Sequence, residues 1–157
     1  MYYDNEDRVI DNVLKNTKTI ALIGASVKEE RPSNSVMRNL LNRGYQVFPV
    51  NPGHAGGKIL GQVCFARLTD IPHEIDMVDV FRRSEDLPEV AQQAVAVGAK
   101  SLWVQLGLWS VEAASIATQS GLDVVMDRCL KIEHARFHGG LHLAGFDTGV
   151  IDSRINR

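Results

Sequence analysis

An α/β fold, one domain built on an open parallel sheet with helices on both faces, is what this sequence predicts. Three observations predict it. Short, mainly apolar runs recur along the chain (Ile20 to Ile23, Val47 to Val50, Met77 to Phe81, Leu102 to Leu106). Strands that lack polar alternation are strands covered on both faces. Between them lie segments with apolar residues three and four apart, the spacing of amphipathic helices, and the connections are short enough to demand right-handed crossovers. At 157 residues, 45% of them apolar and 23% charged, the chain can bury a substantial core as a single domain.

The elements follow in order. Asp4 to Lys15 reads as a helix: Val9, Ile10, Val13 and Leu14 share a stripe, and acids crowd its start while a lysine sits at its end, as the helix dipole prefers. Lys18 to Gly24 is the first strand. Ser33 or Asn34 is expected to cap the next helix, with its stripe of Val36, Met37, Leu40 and Leu41 and its stop at Gly44. Tyr45 to Val50 is the second strand, and Pro49, which cannot donate to a ladder, puts it at an edge or at its end there. Asn51 to Gly61, with four glycines and a proline, reads as a loop, Gln62 to Phe65 as a short third strand, and Leu68 to Pro72 as a turn. Ile75 to Phe81 is a strand. Ser84 is expected to cap the helix that carries Leu87, Val90, Ala91, Ala94 and Val95 and stops at Gly98. Lys100 to Leu106 is the next strand, with Trp103 in the core. Ser110 caps a helix that runs to Ser120, and Leu122 to Met126 is the last strand. The domain is read as 1–137, with 138–157 as a tail that carries Gly139, Gly140, Gly145 and Gly149.

Composition narrows the function. A formal net charge of −2 and a pI near 6.2 give no bulk attraction to nucleic acid or to an anionic membrane. No apolar run reaches the roughly 20 residues that span a bilayer, and the acidic start is unlike a signal peptide, so a cytoplasmic protein is expected. Cys64 and Cys129 are too few for a disulfide framework. Cys129 follows a strand end and is expected as a buried, inert thiol rather than a reactive one. His134, His138 and His142 are four apart, but Gly139-Gly140 breaks the helix that would align them as metal ligands; no metal is expected.

Ligands of open parallel sheets bind outside the carboxyl ends of the strands. The first such end, Gly24-Ala25-Ser26, followed by Pro32-Ser33-Asn34 at a helix start, is an anion site in outline, because backbone N–H groups and the positive helix end face the turn. A dinucleotide dehydrogenase would show G-x-G-x-x-G here and an acid after the second strand. This chain has one glycine, and Asn51 where the acid would be. No G-x-x-x-x-G-K-[ST] is present either. The loop is long and basic, with Lys28 and Arg31 near the helix start, which suits a ligand with several phosphates, one of them peripheral. Across the cleft Arg82 and Arg83 form a basic pair, and Arg82 is the one assigned to phosphate. Trp109, just before a helix cap, is expected to close the pocket or an interface.

Five blocks carry a resemblance: GAS…RPSN, GYQVFPVNP, IP…DMVDVFRR, WVQLGLWS and VVMDRCLKIEH. In order and spacing, over about residues 5 to 137, they resemble the small stand-alone CoA-binding proteins, similar in fold to the CoA-binding domain of the succinyl-CoA synthetase alpha subunit. The resemblance implies a Rossmann-like fold and CoA or an acyl-CoA as ligand. It implies that Gly24, Ala25 and Ser26 offer N–H and hydroxyl groups to the phosphates, and that Ser33 and Asn34 complete the cradle. Asn51 and Pro52 would line the adenosine pocket, with Lys58 a partner of the 3′-phosphate. Val80, Phe81 and Arg82 would form the wall along the nucleotide and pantetheine, and Gln105 and Gly107 would continue the rim. The synthetase carries its phosphorylated histidine outside this domain, so ligase activity is not implied. The leading expectation is a non-catalytic carrier, sensor or regulatory protein, with a homo-oligomer or a protein partner open. The alternative is an NAD(P)-dependent oxidoreductase, or a CoA-transfer component acting with a partner.

Overall fold

The computed structural model describes residues 5–138. Its main sheet has five parallel strands: β1 (Thr19–Ile23), β2 (Gln46–Val50), β5 (Met77–Val80), β6 (Ser101–Val104) and β7 (Asp123–Val125). Their spatial order is β2-β1-β5-β6-β7. Two further strands, β3 (Lys58–Ile59) and β4 (Gln62–Val63), form a separate antiparallel hairpin. Helices α1 (Asn5–Asn16), α2 (Pro32–Asn42) and α5 (Leu130–His138) cover one face, and α3 (Leu87–Ala96) and α4 (Val111–Gln119) the other. This is the predicted single-domain, Rossmann-like α/β architecture.

Alternating strand residues feed two cores. Ile20, Leu22, Met77 and Trp103 pack with Ile10, Val13, Val36, Met37, Leu40 and Leu130 of the first face. Ala21, Ile23, Val78, Val80, Leu102 and Val104 pack with Leu87, Ala91, Ala113 and Ala117 of the second. Burial on both faces explains why these strands read as apolar runs. Pro49 lies on the edge strand as expected. Its carbonyl accepts from Phe65 N at 3.0 Å on the outer side, so the missing proline N–H costs β1 nothing.

Four expectations are corrected. Gln62 to Phe65 is a strand over Gln62–Val63 alone and is the fourth rather than the third, because it pairs back on Lys58–Ile59 within the segment read as a loop, while Phe65 makes a single bridge to Val50. The four glycines nearby favour a tight hairpin over a crossover helix. Helix α2 starts at Pro32, with Arg31 extended at its N-cap position and no side-chain cap, so neither Ser33 nor Asn34 caps it. Proline forces the preceding residue to extend and suits the first helical position, which places the start there. Ser84 does not cap α3 either. It opens a 3₁₀ turn, Ser84–Asp86, and its Oγ accepts from Trp109 N at 3.2 Å. Finally, α5 was not expected at all. It runs to His138, just ahead of Gly139; His142 and the tail beyond 138 lie outside the described residues. Ser110 does cap α4, accepting from Ala113 N at 3.1 Å.

Two carboxyls on or beside β5 have opposite surroundings. Asp79, fully buried, sits level with Leu22 on β1 and Trp103 on β6, and among the described residues neither of its oxygens has a hydrogen-bond partner. Burial pushes its carboxyl well above the usual range, the nearby Val80 N–H opposing this. Asp76, just before β5, accepts from Lys18 N at 2.8 Å and Thr19 N at 3.2 Å and pairs with Lys100 at 3.3 Å. Burial raises its pKa, but these donors and the lysine charge outweigh it and hold the carboxyl below its ordinary value. Among the described residues no helix is long and apolar enough to cross a membrane.

Candidate functional site

β1 pairs with β2 on one side and β5 on the other. The chain therefore leaves β1 in one direction and returns on the opposite side, and crevices form where the connections diverge. A cleft of about 900 Å³ opens at this point. One wall is the turn and loop after β1, with Ser26, Lys28, Arg31 and Ser33. The facing wall is Phe81, Arg82, Arg83 and Asp86 after β5. Asn51 closes the β2 side, and Gln105, Leu106 and Leu108 close the β6 side.

Gly24 makes the turn possible. Its φ is +87°, and a Cβ there would stand 2.2 Å from the Phe81 carbonyl oxygen, so the two walls meet only over a hydrogen atom. The Gly24 and Ala25 N–H groups, expected to face a phosphate, both donate to the Val50 carbonyl at 3.0 and 3.3 Å. The edge strand takes them because its last carbonyl lies directly beneath the turn. The donors left for a ligand are the N–H of Ser26 and the N–H and hydroxyl of Ser33, at the positive end of α2. Ser26 Oγ accepts from Lys28 N at 3.1 Å, which folds the basic loop back over the turn.

Asn34 and Asn51 act on the frame. Asn34, buried, donates from Nδ2 to Ser26 O at 2.9 Å, and its Oδ1 accepts from Arg38. Asn51 donates to Ala25 O at 2.8 Å and accepts from Gly53 N at 2.8 Å, so its amide is committed although it lines the cleft. Arg82 Nε lies 3.5 Å from Asp86 Oδ2, and Arg83 Nε lies 3.3 Å from Glu85 and 3.8 Å from Asp86. Gln105 is only 9% exposed, and among the described residues its buried Oε1 has no hydrogen-bond partner. A buried acceptor left open at a cleft wall calls for a donor, from a ligand or from an ordered water.

Of the residues assigned from sequence, the structure brings Gly24, Ala25, Ser26, Lys28, Arg31, Ser33, Asn51, Phe81, Arg82 and Gln105 into this lining. It does not bring Asn34, Pro52, Lys58, Val80 or Gly107 there. Pro52 starts an exposed 3₁₀ turn, Lys58 lies on the hairpin with its carbonyl held by His54 at 3.2 Å, and Val80 is fully buried in the sheet. Gly107, at φ +91°, donates to Asp127 Oδ1 at 2.8 Å and shapes the β6 turn from behind. Asp86, Leu106 and Leu108 were missed. The spacing Arg82…Asp86 was the available signal for the first, whereas a leucine beside a glycine reads as core. Cys129 packs in the core under α1 and α2, away from this lining. Trp103 is buried, its Nε1 donating to Arg128 O at 3.0 Å, and Trp109 is half exposed.

A family model described as "CoA binding domain" matches residues 18–135. YneT of Bacillus subtilis, itself uncharacterized, is 38% identical over 126 residues, covering 80% of this chain and 92% of that protein. ADP-forming acetate–CoA ligase I of Archaeoglobus fulgidus is 26% identical over 123 residues; the match takes in 72% of this chain and only 18% of the ligase. Among solved structures, a hypothetical protein of Pyrococcus horikoshii matches with a TM-score of 0.81 at 39% identity, covering 88% of this chain and 99% of that one. This chain belongs to the CoA-binding domain family.

Proposed function

We propose that this member of the CoA-binding domain family binds CoA or an acyl-CoA in the cleft at the β1/β5 switch point, as a non-catalytic carrier, sensor or regulatory protein. The observation that carries the reading is the pairing of two open groups in one cleft. The free N–H and hydroxyl of Ser33 with the N–H of Ser26 suit a pyrophosphate, and the unpartnered Oε1 of Gln105 suits an amide N–H some distance along the same ligand. CoA carries both, its pantetheine arm supplying two amides. Lys28 and Arg31 on the cleft wall suit the 3′-phosphate, a role that the family resemblance implied for Lys58. The ligase activity of the longer relatives is not taken over, since this chain spans less than a fifth of the ligase it matches.

The NAD(P) alternative fares worse at Asn51. A dinucleotide site wants a free acid there for the ribose hydroxyls, and here a neutral amide has both ends engaged with backbone. A thermal-shift panel of CoA, dephospho-CoA, NAD, NADP and ATP tests the choice. Ligand at 100 times its Kd adds about 2.7 kcal/mol, and for a chain of this size that raises Tm by roughly 5–10 °C. CoA is expected to shift Tm most and dephospho-CoA less. A shift with NAD and none with CoA overturns the reading. Ser26→Asp, which sets a negative charge where the pyrophosphate would lie, is expected to abolish the CoA shift.

A further inference from the structure

We infer that the turn after β6 makes this cleft prefer an uncharged, short-chain acyl thioester of CoA over free CoA and over carboxylated acyl-CoAs; the inference rests on the CoA reading above. The cleft changes character along its length. Over β1 and β2 it is polar and basic, with Ser26, Lys28, Arg31, Ser33 and Asn51. Over β6, three residues line it, and two of them are Leu106 and Leu108. Ribose and base belong at the β2 side of such a site and the pyrophosphate at the start of α2. The other arm of the ligand therefore crosses β5 and ends over β6, because the sheet order is β2-β1-β5-β6. The reactive sulfur then lies beside the leucines.

This apolar end is firmly built. Gly107, in the left-handed region, is held by Asp127 Oδ1 at 2.8 Å, and Asp127 itself has a positive φ of 59° and is buried. Leu108 N donates to Gln105 O at 3.1 Å, and Trp109 N donates to Ser84 Oγ at 3.2 Å. Two leucines are thus fixed on a concave wall with apolar surface toward the cleft, one packed against each core. A free thiol covers little of that surface, whereas an alkyl group covers much of it. A terminal carboxylate on the acyl group meets poor company. Asp86 lies on the adjoining wall, and a ligand carboxylate would compete with it and with Glu85 for Arg82 and Arg83.

Calorimetric titration with CoA, butyryl-CoA and succinyl-CoA tests this on the wild-type chain and on Leu108→Ala. Each buried methylene is worth roughly fourfold in affinity, so a partly covered butyryl group should bind about tenfold tighter than CoA. Succinyl-CoA should bind no tighter than CoA. In Leu108→Ala the butyryl advantage over CoA, compared within the variant, should fall to about twofold or less. Equal affinity for CoA and butyryl-CoA in the wild type, or succinyl-CoA as the tightest of the three, overturns the inference while leaving the CoA reading intact. Binding of none of them overturns both. The wild-type ligand series stands even if the variant folds poorly.

Discussion

Replacing Gly24 by alanine separates two roles that a turn glycine can have. Gly24 and Gly44 have similar backbone angles, φ +87° and +94°, but a Cβ at Gly44 meets nothing within 4 Å, whereas at Gly24 it meets the Phe81 carbonyl oxygen at 2.2 Å and its carbon at 2.9 Å. Left-handed backbone costs an alanine about 1–2 kcal/mol, and the stiffer unfolded chain returns about 0.4–1 kcal/mol. Gly44→Ala should therefore lose about 1 kcal/mol net, a Tm fall of about 2–4 °C at this chain length. Gly24→Ala carries the same backbone cost and must also move β1 and β5 apart by roughly an ångström, because real Cβ atoms do not approach within 3.0 Å. That movement strains the Phe81 N–Ile23 O bond, 2.8 Å, and the Gly24 N–Val50 O bond, 3.0 Å, each worth about 1 kcal/mol. The summed loss is about 3 kcal/mol or more, on the order of 10 °C. Urea unfolding followed by the fluorescence of buried Trp103 measures both variants. Equal losses in the two would refute the argument that contact with Phe81, and not backbone angle alone, requires glycine at 24.

Three further outcomes are expected. Asp79→Leu should raise stability at pH 7 by about 1–3 kcal/mol, since it removes a buried, unpartnered polar group. Because the native carboxyl titrates above the unfolded one, Asp79 should drain stability as pH rises from about 4 toward its raised native value, and urea titrations across that window should show the slope flattened in the variant; an unchanged slope counts against it. Asp76→Asn has the opposite sign. Its native carboxyl titrates low, so the wild type should hold about 1.5–3 kcal/mol over the variant at pH 7 and lose that lead as pH falls through about 4 and below; variants that remain equally separated at pH 2 and pH 7 would contradict this. Gln105→Leu should leave the urea midpoint unchanged or slightly higher, while CoA affinity by calorimetry falls about tenfold as the acceptor is lost; unaltered affinity would remove Gln105 from the ligand's contacts.

Much of this fold was readable from the chain. The five sheet strands stood out because burial on both faces strips them of polar alternation, and Gly44, Gly98 and Gly121 marked the stops of α2, α3 and α4. What escaped depended on partners distant in sequence. Whether Ser84 caps a helix or serves Trp109, 25 residues on, is decided by loop packing that local pattern does not encode. Helix α5 was hidden because its buried face is mixed: Leu130 and Ala135 are buried beside Glu133 and His134, and Glu133 pairs with Arg136 and with Arg128, which also pairs with Glu6 of α1, so no continuous apolar stripe announces it. At the cleft, the residue types pointing to an anion were legible from the turn and the Pro32 helix start. Which N–H groups remain open was not, since that depends on where the last carbonyl of β2 comes to rest.

That carbonyl has a consequence for the speed of binding. Val50 O takes the N–H groups of Gly24 and Ala25, Asn51 grips Ala25 O, and Asn34 grips Ser26 O. The turn is cross-braced by the end of β2 and by α2 before any ligand arrives. Ordering a loop on association carries an entropic penalty and slows capture; a cradle already fixed avoids both. The exposed part of the rim is the loop from Lys28 to Arg31, whose two cations flank Glu29 and Glu30. A turn fixed in this way holds an anion in a single pose, so that selectivity resides in the shape of the frame.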